Sequence, residues 1–376
     1  MIAGPARPAI ERLWRQDLPA AYWPLWAALT PASALYAGIL AVRARWWQTR
    51  ARDAGVTTIS VGNLTVGGNG KTPFTVFLAS RLAHRGYRVG IVSRGYGRLS
   101  NGPGAALVSD GARIMLSPGE AGDESVMMAR SFAGPIAVAR RRVDGISLLA
   151  RRAAIDIVIL DDGFQHLRLR RDLDLILVNA ARGFGNEWVL PAGPMREPLG
   201  AIGRADAVIL MASGENAAGA QAASDNAAFK GKPVMRAALR ATSLVHAKNG
   251  EWRESQIAIT GRRVAIVSGL GSPEGFHATV RALGAQISNT LDYPDHHHYS
   301  ARDWKHIQDA AGGAQLLLTT EKDLVKLEKF CAGAVPMYAL RVEAVMDESN
   351  EALLLSMVAE RARRRGVVPA THQCAN

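Results

Sequence analysis

Short apolar runs recur along this chain with helix-length segments between them. Residues 57–61, 89–92, 105–108, 136–139, 157–160, 173–178 and 207–211 are dominated by aliphatic side chains. Because these runs are continuous rather than alternating, they predict strands covered on both faces, as in a parallel sheet. Their alternation with helical segments predicts a doubly wound α/β first domain, which binds its ligands at the carboxyl ends of the strands. Residues 217–231 are rich in Ala, Asn and Gly without a period and read as a connector. Further runs at 264–267 and 316–318 predict a second, smaller α/β domain that ends near residue 343, and 369–376 read as a frayed tail. The expected organisation is an N-terminal helical segment over 1–52, a first domain over 53–230 and a second over 231–376.

From Leu18 to Val42 no residue is charged, which is long enough to raise a membrane span. Pro19, Pro24 and Pro31 predict that a continuous helix would break there. Arginines flank the run on both sides, so no orientation emerges, and Glu11 and Asp17 sit where a signal peptide would be basic. Leu35, Ile39, Val42 and Trp46 are spaced four, three and four, which predicts one helical stripe with Arg43, Arg45 and Arg50 off it. Two readings stay open: an amphipathic helix on an anionic lipid surface, and a helix docked on the protein's own core.

Composition narrows the classes. Hydrophobic residues make up 48% of the 376 and charged residues 21%, which excludes a disordered chain. The net charge of +12 implies an anionic partner. Basic clusters at Arg140–Arg142, Arg151–Arg152, Arg168–Arg171 and Arg361–Arg365 lack interleaved aromatics, which weakens a nucleic-acid reading. Cys331 and Cys374 are too few for a disulfide framework or thiolate zinc site, and a reducing, intracellular setting is expected.

The candidate chemistry begins after the first run. Residues 62–72 read GNLTVGGNGKT, and Pro73 suits the first helical turn that follows. Strand, glycine-rich loop and a Gly70-Lys71-Thr72 ending match a P-loop of the NTPase type, with Thr65 in place of the first glycine. In such a loop the backbone of Thr65, Val66, Gly67, Gly68, Asn69 and Gly70 cradles phosphates, Lys71 reaches the outer ones and Thr72 holds magnesium. Asp161 and Asp162 end the apolar run at 157–160 and supply the carboxylates that magnesium needs, although Asp162-Gly163 also reads as a turn.

Ser93-Arg94-Gly95-Tyr96-Gly97, Gly122-Asp123-Glu124, Asp161-Asp162-Gly163-Phe164-Gln165-His166 and Pro191-Ala192-Gly193-Pro194 with Arg196-Glu197 follow in order. Gly269-Leu270-Gly271, Asp295-His296 and Thr319-Thr320-Glu321-Lys322-Asp323 come after them. With the loop at 62–73, this series resembles the tetraacyldisaccharide 4′-kinases of lipid A biosynthesis from about residue 10 to 345, a family in which Thr65 is usual.

The resemblance implies transfer of the γ-phosphoryl group of ATP, with Mg2+, to the 4′ hydroxyl of an acylated glucosamine disaccharide 1-phosphate. It implies peripheral or monotopic association with the cytoplasmic face of the bacterial inner membrane, with no nucleic acid and no protein partner. It assigns Lys71 to the phosphates, Thr72 with Asp161 and Asp162 to the metal, and Asp123 to the base role, paired with His296. From residues alone, Asp123 and Glu124 read first as the cap of a following helix, and His297 and His298 depart from the family motif. Tyr96, His166 and Glu197 match motifs without an assigned role, and Arg94 or the arginines after His166 suit the 1-phosphate by charge alone. Two rivals are a membrane-attached P-loop switch and a nucleic-acid-stimulated ATPase. The first needs a guanine-reading Lys-x-Asp, and Lys322-Asp323 fails that spacing.

Overall fold

The structure is a computed structural model that describes residues 12–15, 17–99, 104–213, 226–248, 251–330 and 335–370. Cys331, Cys374, Glu11 and most of the expected connector and tail lie outside them. Among the described residues, 13 strands form one sheet. The first set is β1 (Thr57–Gly62), β2 (Val89–Ser93), β3 (Ala106–Asp110), β4 (Pro135–Val138), β5 (Ile157–Asp161), β6 (Leu173–Asn179) and β7 (Ala207–Ser213). Then come β8 (Val234–Lys248), β9 (Glu251–Ser255), β10 (Arg263–Ser268), β11 (Gln286–Asp292), β12 (Leu316–Thr320) and β13 (Met337–Val345). The order is β11-β10-β12-β13-β8-β7-β6-β1-β5-β2-β4-β3, with β9 on β8. The central strands β1, β2 and β5 are buried along their whole length, as their continuous aliphatic runs require.

One strand decides where the site lies. β8 runs parallel to β7 along its first part and antiparallel to β13 along the rest. Strands β10 to β13 therefore run opposite to the parallel strands of the first set, β3 excepted. Ala212 of β7 and Val345 of β13 both face Ala238 of β8, so the carboxyl ends of the two sets converge on one place. Parallel strands present their ligand loops there, and here both sets do so toward each other.

The helices are α1 (Trp23–Gln48), α2 (Lys71–His84), α3 (Asp123–Ser131), α4 (Arg142–Arg152), α5 (Glu274–Ala282), α6 (Ala301–Ala310), α7 (Glu321–Leu327) and α8 (Glu348–Arg364). Helix α1 corrects the expected breaks, because with the turn before it the helix runs unbroken over the 29 residues Ala20–Gln48. Pro24 sits in the first turn, where a missing N–H costs nothing. Pro31 cannot donate to the carbonyl of Ala27, and the Thr30 hydroxyl donates to it instead at 2.9 Å. On one side α1 docks on the protein: Ser33 and Leu40 are buried, Tyr36 and Ala37 pack on the core, and Arg43 donates to the Gln165 carbonyl at 2.9 Å. The stripe of Leu35, Ile39, Val42 and Trp46 points the other way, 55% or more exposed at each position.

Three further differences have local causes. The run at 105–108 belongs to an edge strand that pairs antiparallel with β4. Strands β8 and β9 carried no apolar run because exposed and half-buried positions interrupt β8 and no position of β9 is buried. β11 is an edge strand with mostly exposed side chains.

Candidate active site

The glycine loop joins β1 to α2 around the amino terminus of that helix. Gly70 caps α2 with left-handed backbone at φ 70°, a geometry that favours a residue without Cβ. Thr65 holds the loop in shape, since its hydroxyl accepts from Asn69 Nδ2 at 2.9 Å and its carbonyl accepts from Asn63 Nδ2 at 2.6 Å. The Val66 amide donates to Pro194 at 2.8 Å, and no atom lies within 4 Å of where Gly67 or Gly68 would carry a Cβ. Lys71 Nζ donates to Asn63 Oδ1 at 3.1 Å and lies 3.7 Å from Asp162 Oδ1. Thr72 is the second residue of the helix and is largely buried.

The adjacent aspartates have different environments. Asp161 ends β5, fully enclosed, with the hydroxyls of Thr75 and Ser93 donating to it at 3.3 and 3.4 Å. Burial, then the negative charges of Glu124 and Asp162, push its carboxyl up to about 7. Asp162 turns away through left-handed backbone and accepts both Arg196 Nη1 contacts, at 2.8 and 2.9 Å. Burial opposes its charge, but Lys71 and Arg196 outweigh it and hold Asp162 below the usual carboxylate range. Arg142 reaches beneath the pair, donating to the carbonyls of Ala139 at 2.8 Å and Asp161 at 3.2 Å. Burial there lowers the Arg142 guanidinium to about 10.

Helix α3 packs against α2 and begins at Asp123. Gly122 is the cap and no side chain makes a cap hydrogen bond, so Asp123 is the first helical residue and not the cap; its Oδ1 accepts the Glu124 amide at 2.9 Å, and both oxygens lie 3.0 Å from His296 Nδ1. The loop after β11 brings His296 in with φ 58°. Burial alone would raise the Asp123 carboxyl, yet the His296 hydrogen bond, Lys322 and Lys326 hold it down to about 2. Lys326 Nζ is 3.3 Å from Asp123 and 2.9 Å from Asp323. Asp323 in turn accepts the Gly269 amide at 2.8 Å and the Tyr299 hydroxyl at 3.1 Å, which ties the loops of the second set together. Gly122 must lack a side chain, since a Cβ would lie 2.3 Å from the Tyr96 carbonyl.

The remaining candidates divide. Tyr96 packs its ring 4.8 Å from that of His296. His297 instead meets Asp303 at 3.3 Å, and His298 is exposed, so only His296 of the three reaches Asp123. Burial and the positive charge of Arg142 and Arg171 lower His166 to about 4, which keeps it neutral. Glu197 is buried against Arg204 at 2.8 Å. Arg171 is committed to Asp174 at 2.9 Å and Arg168 stacks over Trp47, whereas Arg94 is exposed. Sequence reading missed Arg142, Thr75, Ser93 and Lys326 as site residues. Thr75 was within reach, since it falls one helical turn beyond Lys71 on the same face.

A glycine loop ending in Gly-Lys-Thr, a carboxylate pair beside it and a histidine-buttressed aspartate on a parallel sheet define a P-loop phosphotransferase. The chain belongs to the LpxK family, tetraacyldisaccharide-1-P 4′-kinase, whose family model matches residues 25–359. It is 40% identical over 315 residues to the tetraacyldisaccharide 4′-kinase of Syntrophus aciditrophicus, covering 80% of this chain and 83% of that one. Identity to the enzyme of that name from Geobacter sulfurreducens is 39%, over 85% and 89% of the two chains. Its fold also matches a 2.2 Å crystal structure of Aquifex aeolicus LpxK in complex with ATP, with a TM-score of 0.73 and 32% identity over 90% of this chain and 99% of that one.

Proposed function

We propose that this chain is the ATP-dependent tetraacyldisaccharide 4′-kinase of lipid A biosynthesis and that Asp123 accepts the proton of the sugar hydroxyl. The 4′ oxygen forms its bond to the γ-phosphorus as the bond to the β,γ-bridging oxygen breaks, the hydroxyl proton passes to Asp123, and ADP leaves. The observation that carries this reading is Asp123 from one strand set meeting His296 from the other at 3.0 Å, beside the glycine loop. Lys71 would leave Asn63 for the outer phosphates, and the amides of residues 65–70 would line the cradle. Transfer depends mainly on such positioning and on charge stabilisation.

Thr72, Asp161 and Asp162 offer the hard oxygen donors that magnesium prefers. A buried carboxylate raised by like charge, as Asp161 is, is the arrangement a divalent cation relieves. When bound, magnesium neutralises charge on the β- and γ-phosphates. Arg94, exposed in the loop beside Tyr96, is free to meet the substrate's 1-phosphate by charge. The chain falls into the three proposed segments 1–52, 53–230 and 231–376, although the last two share one sheet.

The outward face of α1 fits the bilayer at the cytoplasmic side of the inner membrane, where ATP is available. With its 26 residues α1 extends about 39 Å at 1.5 Å per residue, more than a hydrocarbon core of about 30 Å. Two experiments test the proposal. Incubating the protein with Mg·ATP and a tetraacyl disaccharide 1-phosphate in detergent should yield a product one phosphate heavier, and no product would refute the assignment. Ile39→Arg with Val42→Arg should reduce co-flotation with liposomes, and unchanged flotation would refute the membrane role of α1.

A further inference from the structure

Lys322 is the group behind the histidine. It sits in the first turn of α7, mostly enclosed, and its Nζ donates to Asp295 Oδ1 at 2.7 Å. The same nitrogen lies 3.4 Å from His296 Nε2 and 3.6 Å from Glu124 Oε1. Burial works against its charge, but Glu124, Asp123 and Asp295 outweigh burial and hold Lys322 above the ordinary lysine value. It therefore remains an ammonium, with protons to give and no lone pair to accept one.

That leaves the ring of His296 a single consistent arrangement. Nδ1 faces the Asp123 carboxylate, an acceptor only, so Nδ1 carries a proton. Nε2 faces an ammonium, so Nε2 presents its lone pair. We propose that Lys322 is a positioning residue that locks His296 as the neutral imidazole protonated on Nδ1, so that Asp123, already paired with Lys326, gains no second cationic partner from the ring and can receive the substrate proton.

The charged and titratable groups around the ring are Asp123 and Glu124 from α3, Tyr96 from the loop after β2, Asp295 beside the histidine, and Lys322 and Lys326 from α7. The two carboxylates nearest the ring favour a second proton on it. Of the two lysines, only Lys322 stands directly against the nitrogen that would take it. An imidazolium would close an ion pair with Asp123 and weaken that carboxylate as a proton acceptor. Asp295 keeps the ammonium in place, which gives the Asp295-His296 pair in the loop a shared purpose.

This inference rests on the base role of Asp123, and the tests separate the two. With labelled histidine, 15N spectra of the unsubstituted protein at pH 7 should show His296 protonated at Nδ1 and bare at Nε2, with the signal assigned by its loss in His296→Asn. A proton on Nε2 would overturn the proposal, whether or not any variant folds. In Lys322→Met, the acid limb of the pH profile of kcat/KM should move up by about one unit or more, the shift expected when a charge within a few ångströms is removed. Activity should then recover at alkaline pH, and Lys322→Arg should keep the original profile. A variant with lowered turnover at every pH and an unmoved acid limb would make Lys322 merely structural. Unimpaired turnover in Asp123→Asn would instead refute the base role itself.

Discussion

The two edges of the first strand set carry similar residues and use them differently. At the amino edge Arg365 bridges Asp53 at 2.8 Å and Asp172 at 2.9 Å, Arg171 holds Asp174 at 2.9 Å, and Arg361 holds Asp206 at 3.0 Å. These groups line a cavity of about 590 Å³ with Arg170, Arg204 and Arg364, and its four aspartates each have an arginine partner. At the carboxyl edge Asp161 is pushed up to about 7 while Asp123 is held down to about 2. Ion pairs fasten the end of α8 to the sheet, whereas the unbalanced charge at the other edge supports the proposed binding of a cation and phosphates there. Arg171, Arg361, Arg364 and Arg365 of the basic clusters are thus spent on internal ion pairs, which weakens the electrostatic case for nucleic acid.

The contrast can be broken by substitution on either side. The largest effect belongs to Asp123→Asn, which keeps the shape but not the proton acceptor, and kcat should fall by about 10²- to 10⁴-fold. Gly97→Ala comes next: its Cβ would lie 3.1 Å from His296 Nδ1 on left-handed backbone, so the ring must shift. A shift of a few tenths of an ångström should cost about tenfold or less, since a misplacement of about 1 Å costs about 10²-fold, and steady-state kinetics with a folded, soluble variant would show it.

Proton competition at Asp161 gives a third, smaller effect. If Asp161 binds magnesium as proposed, the proton it holds below about pH 7 must be displaced, so the half-saturating magnesium concentration should rise toward about tenfold per unit of falling pH. The sign for stability is opposite. In the metal-free protein this group favours folding increasingly as pH drops from about 7 toward its unfolded value near 4. A magnesium requirement independent of pH between 6 and 8 would contradict the environment described for Asp161.

The smallest catalytic effect belongs to the amino edge. Arg365→Ala should leave kcat/KM unchanged while lowering stability by about 1–2 kcal/mol, read as a fall in Tm, because Asp53 and Asp172 lose a partly exposed partner. A large loss of turnover would place chemistry at that edge after all.

The glycine loop and the strand ending in Asp161-Asp162 were legible in the sequence because their signals are local. Lys71 and Thr72 open a helix directly after glycines, and the carboxylates directly follow a buried run. The pairing of Asp123 with His296 spans 173 residues and depends on the reversal at β8, a strand without an apolar run. Only the resemblance to a known family pointed to it. The continuity of α1 was hidden for a chemical reason, since Thr30 supplies the hydrogen bond that Pro31 cannot. Lys322 stood inside a visible motif, yet its charge acquires meaning only when α7 sets it against the far nitrogen of His296.

A double-mutant cycle on Asp123→Asn and His296→Asn tests most directly whether the two strand sets build one catalytic unit. If they do, the losses in kcat are strongly non-additive and the double variant is scarcely slower than Asp123→Asn alone. Losses that simply multiply would show the two side chains acting independently and would contradict the shared site.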